Sequence, residues 1–211
     1  MKHAVVTGAG GFMGRSLIAV LLRKNIRVTA VDLAQAENAL PKSDHLTFVP
    51  MQDGEFPNLQ PYAANLPVDA FYHLAWAGVS TTLKNDAAVQ VSNITLTLKA
   101  LYAAKQCKAK KVICPGSTSE YATCGEAVTG KNVPAPADMY AASKVAAHFM
   151  AQQYARQLDV PFIWLLIASI YGPGRHDNNV ITYCINQLLD GKKPSTTKLE
   201  QQWDYLFVED L

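Results

Sequence analysis

Charge is scarce in this chain of 211 residues: Asp, Glu, Lys and Arg make up 17% of it, against about 25% in an ordinary soluble domain. A surface so thin in charge implies a partner face or a covering segment. Imbalance of charge is missing as well. Nineteen Lys and Arg against seventeen Asp and Glu leave a net charge of +2, too even for an electrostatic grip on nucleic acid or acidic lipid. The one basic cluster, Lys105, Lys108, Lys110 and Lys111, follows an apolar helical run, where cations favour the negative end of the helix dipole. Long apolar runs are also lacking. The most apolar stretch, residues 160–171, is interrupted by Pro161 and falls short of the roughly 18 residues that suggest a membrane span. Neither a nucleic-acid nor a membrane partner is expected.

The four cysteines, Cys107, Cys114, Cys124 and Cys184, form no CxxC pair, and His3, His45, His73, His148 and His176 fall at no metal-ligand spacing. HExxH and GxSxG are absent too, which sets aside a zinc site and a serine-hydrolase triad. The chain starts on Met1-Lys2-His3-Ala4-Val5-Val6, which enters a strand and not a signal peptide. A reduced, cytoplasmic compartment without a resident metal is the expectation.

What is present is alternation. Residues His3–Thr7, Arg27–Asp32, Leu46–Val49, Ala70–Leu74, Lys111–Cys114 and Phe162–Ile167 read as strands, most of them separated by a segment of helical length. Runs such as Phe162-Ile163-Trp164-Leu165-Leu166-Ile167 are apolar throughout, as a parallel sheet covered on both faces requires. The pattern predicts an α/β fold with a doubly wound parallel sheet, the Rossmann architecture. Residues 1–175 read as one dinucleotide-binding domain. Residues 176–211, with a helix at Val180–Leu189 and a strand-like run at Tyr205–Val208, read as the start of a substrate-binding part that the chain leaves incomplete.

Between the first strand and the first helix stands Thr7-Gly8-Ala9-Gly10-Gly11-Phe12-Met13-Gly14. Gly8 lets the chain turn tightly, Gly11 lets a pyrophosphate approach the backbone, and Gly14 lets helix and strand pack closely. The ligand then rests at the positive end of the helix. Gly14-Arg15-Ser16 lacks the lysine of a P-loop, which sets aside nucleoside triphosphate hydrolysis. Asp32 closes the second strand roughly 20 residues beyond the turn, where an acid accepts hydrogen bonds from the adenosine ribose. A carboxylate there repels a 2′-phosphate, and Leu33-Ala34-Gln35-Ala36 offers no Arg to receive one, so NAD is expected and not NADP. Asp53, after the third strand, is a weaker candidate for contacting the adenine.

Tyr140-Ala141-Ala142-Ser143-Lys144 opens a helix, and its i, i+4 spacing stands phenol and ammonium on one face, about 5–6 Å apart at Cβ. The cation is expected to lower the Tyr140 pKa from its reference of about 10. A tyrosine so tuned takes a proton from a hydroxyl, or returns it, near neutral pH. Such a pair is commonplace on helices, and its company makes it informative. Val112-Ile113-Cys114-Pro115-Gly116-Ser117-Thr118-Ser119-Glu120-Tyr121 sets hydroxyls just past the fifth strand, at the sheet edge where doubly wound folds hold ligands.

Taken in order, the Thr7-Gly8-x-x-Gly11-x-x-Gly14 turn, Asp32, His73-Leu74-Ala75, Asn93, Ser117, Tyr140 with Lys144, Tyr171-Gly172-Pro173-Gly174 and the closing Trp203-to-Asp210 segment resemble the extended short-chain dehydrogenase/reductases. These form the NAD-dependent epimerase/dehydratase family, which acts on nucleotide sugars. The resemblance covers essentially all 211 residues. It implies NAD held by Gly8, Gly11, Phe12, Met13, Gly14, Asp32, Leu74, Ala75, Asn93, Tyr140 and Lys144. It further implies that Tyr140 is the acid/base, that Lys144 holds the nicotinamide ribose, and that Ser117 orients the substrate oxygen while a hydride passes between a sugar carbon and the nicotinamide.

Departures from the family pattern narrow the reaction. Dehydratases carry an Asp-Glu pair directly after the hydroxyl residue, where this chain has Thr118 and Ser119, so elimination is disfavoured. The run Ser117-Thr118-Ser119-Glu120 is also similar to nucleotide-sugar decarboxylases, but Tyr121 comes one residue early. Leu166 and Ser169 replace an Arg and an Asn common ahead of the Tyr-Gly-Pro-Gly segment. The likeness is greatest to members that epimerise or reduce 4-keto-6-deoxy sugars. By the same likeness, the helices Ala87–Lys105 and Tyr140–Leu158, apolar around much of their circumference, imply a homodimer seam. The competing expectation is a catalytically silent NAD-binding module, a redox sensor or scaffold, which needs the glycine turn and Asp32 but no phenolate.

Overall fold

A computed structural model describes residues 1–52, 54–79, 82–125, 127–175, 179–200 and 202–211. Asp53 and His176 lie outside the described residues. The chain forms two compact units, Met1–Ile167 and Ala168–Leu211, a division that falls earlier than the 175/176 boundary expected from the residues.

The first unit is built on six strands, β1 (His3–Thr7), β2 (Arg27–Leu33), β3 (Leu46–Met51), β4 (Ala70–His73), β5 (Val112–Pro115) and β6 (Phe162–Leu165). All pair in parallel, in the order β3-β2-β1-β4-β5-β6. The doubly wound parallel sheet expected from the alternating pattern is therefore the fold. Chain direction across the sheet reverses between β1 and β4, so a crevice opens at their carboxyl ends. Thr7 and His73 are the facing residues there.

Four helices accompany the sheet: α1 (Phe12–Arg23), α2 (Gln60–Ala63), α3 (Ala87–Gln106) and α4 (Met139–Leu158). Two aspartates start the long ones. Asp86 accepts from the Val89 amide at 3.0 Å and Asp138 from the Ala141 amide at 2.8 Å, satisfying donors that a helix leaves unpaired at its start. The period-2 alternation of β1 divides the core between the two sheet faces. Ala4 and Val6 pack with Ile18 and Leu21 of α1, while Val5 and Phe71 pack with Leu101 of α3 and Ala151 of α4. Small residues, Ala100 and Ala104 facing Ala151 and Ala155, let these two helices share that core.

Cover on both faces fails at one edge. Ile163 and Leu165 of β6 are each 40% exposed, because an edge strand has a neighbour on one side only. No helix among the described residues is long and apolar enough to cross a membrane.

In the second unit, β7 (Ser169–Tyr171) pairs in parallel with β8 (Tyr205–Phe207). Tyr171 packs on Phe207 at 5.6 Å between ring centroids. The helix α5 (Val180–Leu189) is capped by Asn179, whose side chain accepts from the Thr182 amide at 3.0 Å.

Candidate active site

The glycine turn is shaped by contacts that only glycine tolerates. Gly8 has φ of +66°, and a Cβ there would stand 2.6 Å from the Ala75 amide nitrogen, in the loop after β4. At Gly14 a Cβ would lie 2.2 Å from the Gly8 carbonyl oxygen, so α1 and β1 approach as closely as expected. Gly11 is different. Its φ of −69° suits any residue, and an added Cβ would meet only the Gly8 carbonyl oxygen, at 3.1 Å. It is the N-cap of α1, brings no side chain to cap it, and is followed by a first turn without an acid. The positive end of the helix, opened by Phe12 and Met13, is thus unneutralised by its own residues.

Asp32 stands beside this turn. Its Oδ2 accepts from the Gly10 amide at 2.8 Å, and its Oδ1 from the Leu33 amide at 2.8 Å. Across the crevice, Leu74 donates its amide to the Thr7 carbonyl at 3.1 Å, and Ala75 donates to Thr7 Oγ1 at 3.4 Å. Asn93, buried in α3, holds Ala77, two residues further along that loop, through both its backbone groups. Its Oδ1 accepts from the Ala77 amide at 2.8 Å and its Nδ2 donates to the Ala77 carbonyl at 2.9 Å. Its amide therefore fixes the loop.

Tyr140 and Lys144 sit one turn apart in the first half of α4, 9% and 3% exposed. The ammonium lies 5.8 Å from the phenol ring centroid, so the i, i+4 spacing does bring the pair together. Lys144 Nζ donates to the Pro115 carbonyl at the end of β5, at 2.9 Å. Burial pushes its pKa down to about 7, against the opposing pull of Cys114 and Glu120.

The expected fall of the Tyr140 pKa is reversed. Burial raises it above its ordinary value, a hydrogen bond with Ser117 pulls it back, and the charges of Glu120 and Asp138 add to the rise. Spacing announced the cation but not the desolvation, which is the larger effect. Ser117 faces Tyr140 and also starts the 3-10 turn Thr118–Tyr121, accepting from the Ser119 amide at 3.1 Å.

Three residues of this site have no role assigned to them from the sequence. Glu120 is 1% exposed. Its Oε1 accepts from the Ser117 amide at 2.8 Å and from Trp164 Nε1 at 3.1 Å, so it pins the residue that faces the phenol. The Ser-x-x-Glu spacing of a capping box was its available signal. Gln90, a fully buried polar residue of α3, donates from Nε2 to the carbonyls of Gly78 and Leu83 at 3.1 and 3.2 Å. Its Oε1 accepts from Ser143 Oγ at 3.0 Å and Trp76 Nε1 at 3.2 Å. Trp76 in turn covers Lys144, its ring centroid 3.5 Å from Nζ. Neither Gln90 nor Trp76 has a local signal that distinguishes it from a core residue.

Comparison with known proteins gives the family and the fold. The model of the NAD dependent epimerase/dehydratase family matches residues 4–211. The chain is 29% identical over 224 residues to UDP-glucose 4-epimerase of Mycolicibacterium smegmatis, covering 99% of this chain and 70% of that protein. It is 29% identical over 198 residues to UDP-glucuronate 4-epimerase of Thermodesulfobacterium geofontis, covering 87% of this chain and 61% of that one. The chain thus spans between three fifths and seven tenths of these relatives. Among solved structures, UDP-N-acetylglucosamine 4-epimerase of Methanobrevibacter ruminantium superposes with a TM-score of 0.84 at 24% identity, over 99% of this chain and 70% of that one. UDP-glucuronic acid 4-epimerase of Bacillus cereus, solved with UDP-glucuronic acid and NAD, gives 0.82 at 24% identity with the same coverage. Likeness at this identity establishes the fold.

Proposed function

The chain belongs to the NAD dependent epimerase/dehydratase family, and from that premise we propose that it is an NAD-dependent nucleotide-sugar epimerase or 4-keto-sugar oxidoreductase with Tyr140 as its acid/base. The observation that carries this reading is the meeting of three side chains at the carboxyl edge of the sheet. Tyr140 is buried against the Ser117 side chain, and the Lys144 ammonium is 5.8 Å from its ring.

The residues present fit the cofactor. An N-cap without a side chain and a first turn without an acid suit a pyrophosphate, which Gly8, Gly11, Phe12, Met13 and Gly14 would hold. Asp32, anchored on the Gly10 amide at 2.8 Å, would receive the adenosine ribose. Leu74 and Ala75 would line the crevice, Asn93 would act through its grip on Ala77, and Lys144 would hold the nicotinamide ribose. Bound NAD supplies the two-electron redox chemistry at the sugar carbon.

The remaining work falls to the protein. Tyr140 Oη takes the proton from the sugar hydroxyl and gives it back, and Ser117 Oγ orients that oxygen. The Lys144 charge favours the phenolate against the burial that opposes it. Thr118 and Ser119 provide no carboxylate for an elimination, which favours epimerisation or reduction over dehydration. We also place a homodimer seam on α3 and α4, where Val91, Tyr102, Phe149 and Met150 are exposed.

The test is incubation of the full chain with NAD and a panel of nucleotide sugars, following reduced-cofactor absorbance and product epimers. Conversion that disappears in Tyr140→Phe, with NAD binding kept, is expected. Conversion that survives this substitution removes Tyr140 from the mechanism. NAD binding with no conversion of any sugar supports the silent module instead.

A further inference from the structure

A lysine as buried as Lys144 needs partners for three N–H donors, and among the described residues it makes one hydrogen bond, to the Pro115 carbonyl at 2.9 Å. Among the described residues no carboxylate lies within ion-pair distance of it. Beyond that carbonyl, aromatic rings surround the ammonium. The Trp76 ring centroid is 3.5 Å from Nζ, while Tyr140 and Trp164 stand at 5.8 and 5.7 Å. The same indole meets the Tyr140 ring edge-on, with centroids 6.2 Å apart and planes at 83°. Its angle is set from behind, because Trp76 Nε1 donates to Gln90 Oε1 at 3.2 Å. Gln90 is itself tied to the carbonyls of Gly78 and Leu83 and to Ser143 of α4.

We propose that Trp76 is a positioning residue that seats the Lys144 ammonium on its π face beside Tyr140, with Gln90 holding the indole at the required angle. The proposal rests on the reading of Tyr140 and Lys144 as the working pair. Its physical logic is one of charge. A buried ammonium needs a counter-interaction, and a carboxylate in that place would raise the Tyr140 pKa further, as Glu120 and Asp138 already do. An indole face attracts a desolvated cation through its quadrupole and adds no net negative charge next to the phenol.

The groups that bear on Lys144 come from several elements. Glu120, in the 3-10 turn, and Cys114 of β5 favour its charged form. His73 of β4 lies within reach of its charge, and His148 of α4 touches the site through Glu120, with Nδ1 to Oε2 at 3.9 Å. None of these substitutes for a surface in contact with Nζ.

The deciding measurement is the titration of the Lys144 side chain itself, by NMR of lysine-labelled protein without cofactor, in wild type, Trp76→Leu, Trp76→Phe and Gln90→Leu. Trp76→Leu is expected to lower the Lys144 pKa by about one unit or more, and Trp76→Phe, which keeps a weaker π face, by less. Gln90→Leu is expected to fall between wild type and Trp76→Leu. An unchanged Lys144 pKa in folded Trp76→Leu overturns the proposal. Should the variants fail to fold, the wild type still decides: the Lys144 Hε protons must be displaced upfield by the indole ring current, and ordinary shifts overturn the seat. The two readings separate cleanly. A Lys144 shift in Trp76→Leu with conversion retained in Tyr140→Phe supports the seat and removes the function, whereas no shift with conversion lost in Tyr140→Phe does the reverse.

Discussion

His73 makes the fold sensitive to acid in a way that can be worked out from its surroundings. The ring closes β4 at the crevice and is 2% exposed. Nδ1 lies 2.8 Å from Thr7 Oγ1, and Nε2 is buried without a hydrogen-bond partner among the described residues. Thr7 Oγ1 also accepts the Ala75 amide, and its second lone pair and its proton let it pair with Nδ1 in either tautomer of the ring. The imidazole packs edge-on near Phe56, with ring centroids 6.1 Å apart. Burial, with the Lys144 charge adding to it, pushes the imidazole pKa down to about 3 from 6.5.

Since the folded pKa lies below the unfolded one, the folded state binds fewer protons throughout that interval. Stability is complete above about pH 6.5 and declines as the pH falls toward 3, by about 1.4 kcal/mol for each pH unit. From pH 6.5 to 5.0 the loss due to His73 is about 2 kcal/mol. His73→Gln, neutral at every pH, lacks this loss whatever its stability at pH 7. Urea denaturation of both proteins across that range is the assay, with the difference of their slopes as the signal. Parallel stability profiles, or an imidazole of residue 73 that titrates near 6.5 by NMR in the native state, refute the reasoning.

Other consequences follow from the same geometry. Glu120→Ala leaves the Ser117 amide and Trp164 Nε1 without their acceptor, and at roughly 1–3 kcal/mol for each buried donor it is expected to cost about 2–6 kcal/mol in urea denaturation. Glu120→Gln retains an acceptor oxygen and should cost less than half as much; equal losses would show that the lost hydrogen bonds are not the cause. Gly14→Ala forces a methyl to within 2.2 Å of the Gly8 carbonyl oxygen, so a loss of about 1–3 kcal/mol is expected together with weakened NAD binding, read by calorimetry. Phe149→Glu combined with Val91→Glu should convert a dimer to a monomer by light scattering, and a wild-type chain that stays monomeric at high concentration would remove the α3–α4 seam.

The strands were legible because a parallel sheet asks for continuous apolar runs, and these announce themselves locally. Val112 to Cys114 and Phe162 to Leu165 lie within the observed β5 and β6. Leu166 and Ile167 share that apolar character yet lie beyond β6, since pairing with β5 ends at Pro115↔Leu165. Strand length is decided by the neighbour. β7, only three residues long, exists through pairing with a strand more than thirty positions away in the chain, and no window around Ser169 contains that information. The glycine turn was legible for the opposite reason, because Gly8 and Gly14 answer to backbone contacts within the turn or just across from it.

The site divides along the same line. That Tyr140 and Lys144 share a face follows from helix geometry alone, and so did the expectation of a lowered phenol pKa. Solvent exclusion around the phenol depends on which elements cover it. The loop bearing Trp76, the strand end at Pro115 and the turn holding Glu120 converge on α4 from separate parts of the chain, and their convergence raises the phenol pKa while lowering that of the lysine. Burial thus drives the two pKa values apart, since it disfavours the charged form of each, the phenolate and the ammonium. The rise at Tyr140 keeps the phenol protonated in the cofactor-free protein, and in the acid/base role proposed for it a positive charge bound beside the ring, as the oxidised nicotinamide would be, would lower its pKa again.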